Sequence, residues 1–210
     1  MAPPTIALVE AGAPEIVLAS ASPARRALLE AAGVPHRVLP AAVDEAEVKL
    51  ALRAGGVTPG DAAVALAELK AQRILPRLGA DAIVLGADQI LTVEGQWFDK
   101  PPDHAAARTQ LLSLQGRRHE LWTAVVAFRA GARIWHHGIE TRLWMRACSA
   151  DFIDAYLRAD PQALESVGAY RIEGLGAHLF SRIQGDGFAI QGLPLLEVLE
   201  FLRTQGALLR

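Results

Sequence analysis

The chain has 210 residues, of which 51% are hydrophobic and 21% are charged, and its formal net charge is −2. This composition is typical of a folded protein and excludes a disordered one. The near-neutral charge gives no overall positive field for nucleic acid, so any phosphate site must be local. The single cysteine, Cys148, excludes an internal disulfide and suits a reducing compartment.

No targeting or membrane segment is predicted. The first 12 residues lack the basic region and sustained apolar core of a secretory signal, and no run of about 18 uncharged apolar residues occurs. We therefore expect a cytoplasmic protein without a membrane span. Residues 1–14, with Pro3, Pro4 and Pro14, are expected to form a loosely held, flexible leader in which residues 5–9 could add a short edge strand. Residues 15–210 contain no long linker and are expected to form one domain.

The first strand is predicted at residues 15–19, and it leads into the turn Ser20-Ala21-Ser22-Pro23-Ala24-Arg25-Arg26. Ser22 is a good N-cap and Pro23 fits the first helical position, which predicts a helix ending at Gly33. Backbone N–H groups at this helix start, with two hydroxyls and two arginines, suit a phosphate. An ordinary capped helix whose arginines face solvent explains the segment too, and by itself is the more common case.

The region that follows carries candidate metal ligands. Residues 34–39 are predicted as a second strand, and two adjacent carboxylates come next at Asp44-Glu45. Magnesium binds one or two carboxylates together with phosphate oxygens, although an acidic helix start explains the pair equally well. A short helix is expected at 46–54. Residues 61–75 have the apolar periodicity of an amphipathic helix, on which Lys70 is expected to be solvated.

The stretch IVLGADQILTVEGQWFDKP, at residues 83–101, is the centre of the predicted site. Residues 83–85 are typical of a buried strand, Gly86 permits a close backbone turn, and Asp88 is placed at the carboxyl end of the strand. Ligands bind at this end of the strands in open α/β sheets. A short hairpin is expected to follow and to close on Lys100, so that an acid and a base flank one hairpin.

The second half of the chain supplies further elements and one more candidate residue. The predicted elements are a helix at 104–115, a long β-hairpin at 119–147, a helix at 151–160, short strands separated by glycines at 166–195 and a last helix at 194–205. Glu173 lies between two of the glycine turns. The six histidines show no spacing that is typical of metal ligands.

These segments suit attack on a phosphorus atom if the chain brings them together. Hydroxyls and positive charges occur at Ser20, Ser22, Arg25, Arg26, Lys70 and Lys100. Glu45 and Asp88 supply carboxylates. In such a site cations hold the phosphates, a divalent ion neutralises developing charge, and a carboxylate orients or deprotonates water. The sequence lacks G-x-x-x-x-G-K-[ST] and G-x-S-x-G, which disfavours P-loop and serine-hydrolase chemistry.

Four motifs resemble those of the Maf family of nucleoside triphosphate pyrophosphatases. They are LASASPARRALL, VDE at 43–45, LGADQ with the downstream GQWFDKP, and GAYRIEGLG followed by IQGLPL. They occur in the family's order over nearly the whole chain. The resemblance implies a mixed α/β fold of the Maf and inosine-triphosphatase-like type, with an elongated central sheet flanked by helices and a cleft between two lobes.

The resemblance also implies a reaction and roles for individual residues. It implies a homodimer with Mg²⁺ or Mn²⁺ that cleaves a nucleoside triphosphate to the monophosphate and pyrophosphate. Residues that match phosphate-binding positions are Ser20, Arg25, Lys70 and Lys100. Glu45 and Asp88 match the acids of the site and are expected to hold the metal, and Asp88 also matches the proton acceptor.

Two positions bear on the choice of substrate. Ala24 stands where the family has the first arginine of S-x-S-P-R-R, and where the branch resembling 7-methyl-GTP pyrophosphatases has a stacking tryptophan. Glu173 stands where pyrimidine-preferring members have glutamine and the 7-methyl-GTP branch has glutamate. A glutamate accepts hydrogen bonds from the N1–H and amino groups of guanine. The two positions disagree, so dTTP and UTP are disfavoured and 7-methyl-GTP is left open.

We therefore expect a house-cleaning enzyme for non-canonical or modified nucleotides. A 7-methyl-GTP-specific pyrophosphatase is one alternative. A non-catalytic nucleotide-binding regulator linked to septum formation is another, and it predicts tight binding without turnover.

Overall fold

The computed structural model describes residues 8–210, which form seven strands and seven α-helices. The elements are β1 (Ile16–Leu18), α1 (Pro23–Ala31), β2 (Arg37–Val38), α2 (Glu45–Ala54), α3 (Pro59–Ile74), β3 (Ile83–Val93), β4 (Gln96–Phe98), α4 (His104–Leu114), β5 (Arg118–Arg129), β6 (Ala132–Met145), α5 (Ala150–Ala159), β7 (Phe180–Gln184), α6 (Gly187–Ile190) and α7 (Leu195–Thr204). Short 3-10 helices lie at Leu75–Arg77, Pro161–Glu165 and Leu175–Leu179. The second strand is therefore much shorter than the predicted 34–39.

One mixed sheet of seven strands runs through the described residues. Its order is β2-β1-β3-β5-β6-β7, and β4 pairs with β3. β1 is parallel to β2 and β3, whereas the other pairs are antiparallel. The long ladders between β3, β5 and β6 elongate the sheet, which confirms the expected mixed α/β fold with an elongated central sheet. Between residues 8 and 210, no helix is long and apolar enough to cross a bilayer.

Strand β3 connects the separate parts of the core. Its side chains alternate between the two faces of the sheet. Leu85 packs in a cluster with α1 and α7, whereas Val84 packs with α3 on the opposite face. Farther along, Leu91 belongs to a third cluster with α4 and α5. Asp88 has the same parity as Val84 and lies on the α3 face of β3, where Ile90, two residues farther on, still belongs to the cluster with α3.

The prediction that Asp88 lies at the end of a strand is wrong, because β3 continues past it. On the β5 side, pairing covers the whole middle of β3. On the other side, β3 pairs with β1 at 83–85 and with β4 at 91–93. β1 ends at Leu18. Asp88 therefore faces the space beyond the carboxyl end of β1, at an edge of β3 that neither β1 nor β4 covers.

Gly86 lies inside β3 and not at the predicted turn. A β-carbon at this position would lie 2.0 Å from the carbonyl oxygen of Ala67 and 3.0 Å from the β-carbon of Ala71. Both residues belong to α3 and are fully buried. The glycine therefore allows α3 to pack directly on the sheet, and this close packing brings Lys70 beside β3.

The glycine-rich segment is mainly irregular. The prediction of several short strands at 166–195 is wrong, since β7 is followed by the short helix α6 and preceded by turns and 3-10 helices. Gly168, Gly185 and Gly192 have positive φ values, which side chains other than glycine rarely adopt. The positive φ values allow tight turns in this segment, whose helix α6 contacts β5 and β6.

The N-terminal leader lies only partly within the described residues. Residues 1–7, with two of its three prolines and most of the proposed edge strand, lie outside them. Val9 forms an isolated antiparallel bridge with Leu208. The amide of Leu209 donates to the carbonyl oxygen of Leu8. Residues 8 and 9 are therefore tied to the C-terminal end of the chain.

Replacing Gly86 with alanine tests the close packing of α3. We expect Gly86→Ala to lower the free energy of unfolding by about 2 kcal/mol, because the added methyl group must push the helix away from the sheet. Urea unfolding followed by circular dichroism measures this loss. In the matched control Gly138→Ala, the new methyl group would meet only Val64, at 3.8 Å, and little change is expected. Equal losses in the two variants would contradict the packing argument.

A buried histidine makes the stability depend on pH. His119 of β5 is fully buried, its Nε2 lies 3.1 Å from the hydroxyl oxygen of Tyr170, and burial lowers its pKa to about 4. The unfolded chain binds a proton at this histidine below about pH 6.5. Between these two pKa values the unfolded state holds more protons than the folded state. The free energy of unfolding therefore decreases as the pH falls from about 6.5 to about 4.

The variant His119→Gln keeps a polar group beside Tyr170 but does not titrate. We expect its free energy of unfolding to fall by about 2 to 3 kcal/mol less than that of the wild type between about pH 7.5 and pH 4.5. Urea unfolding at the two pH values measures the difference. The same decrease in both proteins would show that His119 is not the group responsible.

Candidate active site

A cavity lies beyond the carboxyl end of β1, where the turn after this strand faces the uncovered edge of β3. It brings together all but one of the residues that the sequence predicted. Those lining it are Ser20, Ser22, Arg25, Glu45, Lys70, Asp88, Lys100 and Glu173. Because these residues are spread from position 20 to position 173, the fold creates the site and no single motif does.

Arg25 is buried and fixed by three hydrogen bonds. Its Nη1 donates to Ser20 Oγ at 2.9 Å and to the carbonyl oxygen of Ala87 at 2.9 Å. Its Nε donates to the carbonyl oxygen of Gly192 at 2.8 Å. Burial lowers its pKa, against the opposing effects of Asp88 and Glu45, yet a guanidinium remains charged at neutral pH. The alternative in which the arginines of α1 face solvent is therefore wrong for Arg25.

Arg26 does not line the cavity. Its exposed Nε lies 2.7 Å from Oε1 of Glu30, one helical turn farther along α1. Successive residues of a helix point in different directions, so Arg25 and Arg26 cannot share one face. The structure does not support the prediction that Arg26 binds phosphate.

Lys70 lies between the two predicted acids. Its Nζ is 2.8 Å from Oε1 of Glu45 and 2.5 Å from Oδ1 of Asp88. Its side chain is only 7% exposed, which corrects the expectation that it is a solvated helix charge. A buried ammonium requires negative partners, and here two carboxylates share it.

The second carboxylate oxygen of Asp88, Oδ2, is buried and has no hydrogen-bond partner in the described part of the chain. An unpartnered buried oxygen is costly and marks a place for an external donor or cation. Among residues 8–210, no group of three or more His, Cys, Asp or Glu could hold a metal. Glu45 and Asp88 nevertheless fit magnesium or manganese, since such ions take one or two carboxylates and complete their coordination with phosphate oxygens.

The net effect of burial and of the charges around the cavity is to lower the pKa values of both Glu45 and Lys100. Burial alone would raise the pKa of Glu45, but Lys70, Lys49 and Lys100 outweigh it and lower that pKa. Burial, together with the positive charge of Arg25, lowers the pKa of Lys100. Glu45 is therefore ionised at neutral pH, and Lys100 loses its proton at a lower pH than an ordinary lysine.

Lys49 is a cavity residue that the sequence analysis missed. Its Nζ lies 2.9 Å from Oδ1 of Asp99, and its side chain is 10% exposed. Because Asp99 precedes Lys100, this ion pair ties helix α2 to the loop that carries Lys100. The spacing of the sequence indicates this position, because Lys49 lies one helical turn after Glu45 and on the same face of α2.

Gln89 was also missed, although it lies inside one of the quoted motifs. It lines the cavity, and its Nε2 donates to Thr123 Oγ1 at 2.9 Å and to the carbonyl oxygens of Ala189 at 2.7 Å and Ile190 at 3.1 Å. These bonds tie β3 to β5 and α6. The signal was a second polar residue, next to Asp88, in a mostly apolar strand, where a buried amide requires partners.

Glu173 lines the cavity from the glycine-rich segment that follows α5. It lines the cavity with Glu165 and Ser166, whereas the cations Arg25 and Lys70 come from the part around Asp88. Its Oε1 accepts a hydrogen bond from Nε of Arg171 at 3.2 Å. The cavity therefore offers the Glu173 carboxylate in addition to the cations and carboxylates around Asp88.

Comparison with known proteins shows the family. The model of the Maf-like protein family matches residues 15–205. A protein of Granulibacter bethesdensis named nucleoside triphosphate pyrophosphatase is 51% identical over 92% of this chain and 98% of its own length. One of Rhodospirillum rubrum with the same name is 49% identical over 93% and 97%. One of Rhizobium meliloti named 7-methyl-GTP pyrophosphatase is 44% identical over 93% and 98%.

The family match covers the strands and helices that build the cavity, from β1 to α7. The relatives align along nearly their whole length, so the agreement is not confined to one motif. By its sequence and its mixed α/β fold, the chain belongs to the Maf-like protein family.

Proposed function

We propose that this protein is a nucleoside triphosphate pyrophosphatase, which cleaves between the α and β phosphates to give a monophosphate and pyrophosphate. The observation that carries this proposal is the unpartnered, buried Oδ2 of Asp88, which lies in one cavity with four cationic side chains. Relatives about 50% identical over nearly the whole chain bear this name. Their names support the same reaction here.

The phosphate chain would bind to the turn after β1 and to the cations around it. Ser22 caps α1 by accepting a hydrogen bond from the amide of Arg25 at 3.4 Å, and the first turn of a helix favours negative charge. Ser20 holds the Arg25 guanidinium in place. Lys70 and Lys100 add positive charge from α3 and from the loop after β4. These groups stabilise the charge that develops on the leaving pyrophosphate.

Asp88 would act on the attacking water. Its Oδ1 is held by Lys70, which leaves Oδ2 to accept a hydrogen bond from water and then its proton. As the new oxygen–phosphorus bond forms at the α phosphorus, the bond to the bridging oxygen breaks and pyrophosphate leaves. Glu45 and Asp88 would hold Mg²⁺ or Mn²⁺, which when bound neutralises charge on the phosphate oxygens.

The base would meet Glu173, which lines the same cavity as the phosphate-binding residues. A carboxylate accepts hydrogen bonds, so it favours a base edge rich in N–H donors, such as that of guanine. Relatives named 7-methyl-GTP pyrophosphatase are 44% and 45% identical, but Ala24 lines the cavity here without a stacking surface. We therefore propose house-cleaning of non-canonical or modified nucleotides, with 7-methyl-GTP specificity as the alternative.

The assembly and location of the enzyme are further parts of the proposal. The family resemblance supports a homodimer, and the single cysteine suits the reducing cytoplasm. The net charge of −2 gives no overall field for nucleic acid. The substrate is therefore the one partner that we propose besides a second copy of the chain.

The decisive test is the release of pyrophosphate by the wild type and by Asp88→Asn. With magnesium and a panel of GTP, ITP, XTP, 7-methyl-GTP, UTP and dTTP, we expect the wild type to act on at least one purine nucleotide. The variant keeps the shape of the side chain but loses the base, so its kcat should fall by about 100-fold or more. Asp81→Asn is the matched control, because Asp81 is exposed and pairs with Arg129 away from the cavity.

The panel separates the candidate functions. Release from 7-methyl-GTP alone would establish the narrower specificity. Tight nucleotide binding without any release would instead favour the non-catalytic regulator. An unchanged kcat in Asp88→Asn would remove Asp88 from the mechanism.

The lowered pKa of Lys100 predicts an alkaline limit to activity. Lys100 binds phosphate when protonated, so its contribution is present below its pKa and is lost as the pH rises through it. We expect kcat/KM to fall at a pH below 10.5, the ordinary pKa of lysine. Lys100→Arg should move this fall to higher pH, because a guanidinium keeps its proton. Rates from about pH 7 to pH 10 at constant free magnesium test this, and coinciding profiles would exclude Lys100 as the titrating group.

A further inference from the structure

Arg171 joins the carboxylate of Glu173 to a second, buried carboxylate. Its Nε donates to Oε1 of Glu173 at 3.2 Å, and its Nη1 donates to Oδ1 of Asp160 at 3.0 Å. Asp160 is 7% exposed, whereas the side chains of Arg171 and Glu173 are 28% and 27% exposed. The guanidinium therefore reaches from a buried acid at the end of α5 to the acid that lines the cavity.

The backbone of Arg171 is also held in place by its neighbours. Its amide donates to the hydroxyl oxygen of Tyr156, on α5, at 3.3 Å. A β-carbon at Gly176 would lie 2.3 Å from the carbonyl oxygen of Arg171 and 2.6 Å from its nitrogen, so the turn closes tightly around this residue. The backbone and the side chain of Arg171 are therefore both anchored to α5 or to its end, which fixes the position of the guanidinium.

The charges of Asp160, Arg171 and Glu173 explain why Arg171 pairs with a second acid besides Glu173. A single arginine paired with Glu173 alone would cancel the negative charge that a base could use. Asp160 takes one arm of the guanidinium, so the cluster of Asp160, Arg171 and Glu173 carries a net charge of −1. Without Arg171, Asp160 would be a buried and unpaired carboxylate, which is costly.

We propose that Arg171, held by Asp160, is a positioning residue that presents the Glu173 carboxylate to the N–H donors of a guanine-type base. This inference rests on the proposed function, in which Glu173 meets the base. The bond from Arg171 leaves Oε2 of Glu173 and one lone pair of Oε1 free. The N1–H and exocyclic amino groups of guanine are two adjacent donors, which match the two oxygens of a carboxylate. Hypoxanthine lacks the amino group and forms one bond fewer.

A purely structural tie makes a different prediction. It would contribute to the stability of the turn, and its loss would weaken the binding of every nucleotide to a similar extent. A positioning role changes the ratio of affinities for two nucleotides that differ only in the amino group. This ratio is therefore the measurement that separates the two roles.

The experiment measures the binding of the α,β-methylene analogues of GTP and ITP by calorimetry with magnesium. Neither analogue can be cleaved between the α and β phosphates, so the result does not depend on turnover. We expect the wild type to bind the guanine analogue about tenfold more tightly, as for one hydrogen bond to a charged group. Arg171→Gln frees Glu173 to move and should reduce this preference about fivefold.

Three further variants test the role of charge. Arg171→Lys keeps the positive charge but not the two-armed geometry, and an intermediate preference is expected. It also serves as the second variant if Arg171→Gln does not fold. Asp160→Asn leaves Arg171 to neutralise Glu173 and should also reduce the preference. Glu173→Gln should abolish it.

Arg142→Gln is the matched control. Arg142 pairs with Glu140 through Nε and Oε1 at 2.6 Å, with the same two-residue spacing but on β6 and outside the cavity. This variant should leave the preference unchanged. A wild-type preference that survives in Arg171→Gln or in Glu173→Gln would overturn the inference, as would an absence of preference in the wild type. Analogue binding with the expected ratios but no cleavage of any triphosphate would instead refute the proposed function and leave this inference standing.

Discussion

The ammonium of Lys70, buried between Glu45 and Asp88, is the interaction on which the rest of the site depends. Two carboxylates that face one cavity repel each other unless a cation lies between them. Lys70 reaches both acids because α3 packs directly on β3, and this packing is possible because Gly86 has no side chain. The absence of a side chain at Gly86 thus allows a positive charge, that of Lys70, to lie between the two acids. The arrangement also occupies one oxygen of Asp88 and leaves the other without a protein partner.

The unequal lengths of neighbouring strands create the space in which this cluster lies. β1 has three residues and β3 has eleven, so β3 extends well beyond the end of its parallel neighbour. The turn after β1 fills part of the gap, where Arg25 donates to the carbonyl oxygen of Ala87. The general rule that ligands bind beyond the carboxyl ends of parallel strands therefore holds for β1. It does not hold for β3, whose middle supplies Asp88.

The polar lining of the cavity favours one orientation of a bound nucleotide, with its phosphates near Asp88 and its base near Glu173. Arg25, Lys70 and Lys100 supply the positive charge that a triphosphate requires, whereas Glu173 supplies an acceptor for a base. In both places an arginine or lysine is shared between two acids, as Lys70 is shared by Glu45 and Asp88 and Arg171 by Asp160 and Glu173. Sharing a cation in this way leaves each pair of acids with a net negative charge while still fixing their positions.

The sequence by itself determined the family resemblance, the mixed α/β class and most of the helices, because these depend on local motifs and on apolar periodicity. Its motifs also identified eight of the residues that line the cavity. It did not determine that Asp88 lies inside a strand, since the length of a strand depends on the partner that pairs with it, here β5. The burial of Arg25 and Lys70 and the exposure of Arg26 were likewise decided by tertiary packing. A charged residue on a helix has the same local pattern whether its face meets solvent or a cavity, and only the neighbouring elements distinguish the two.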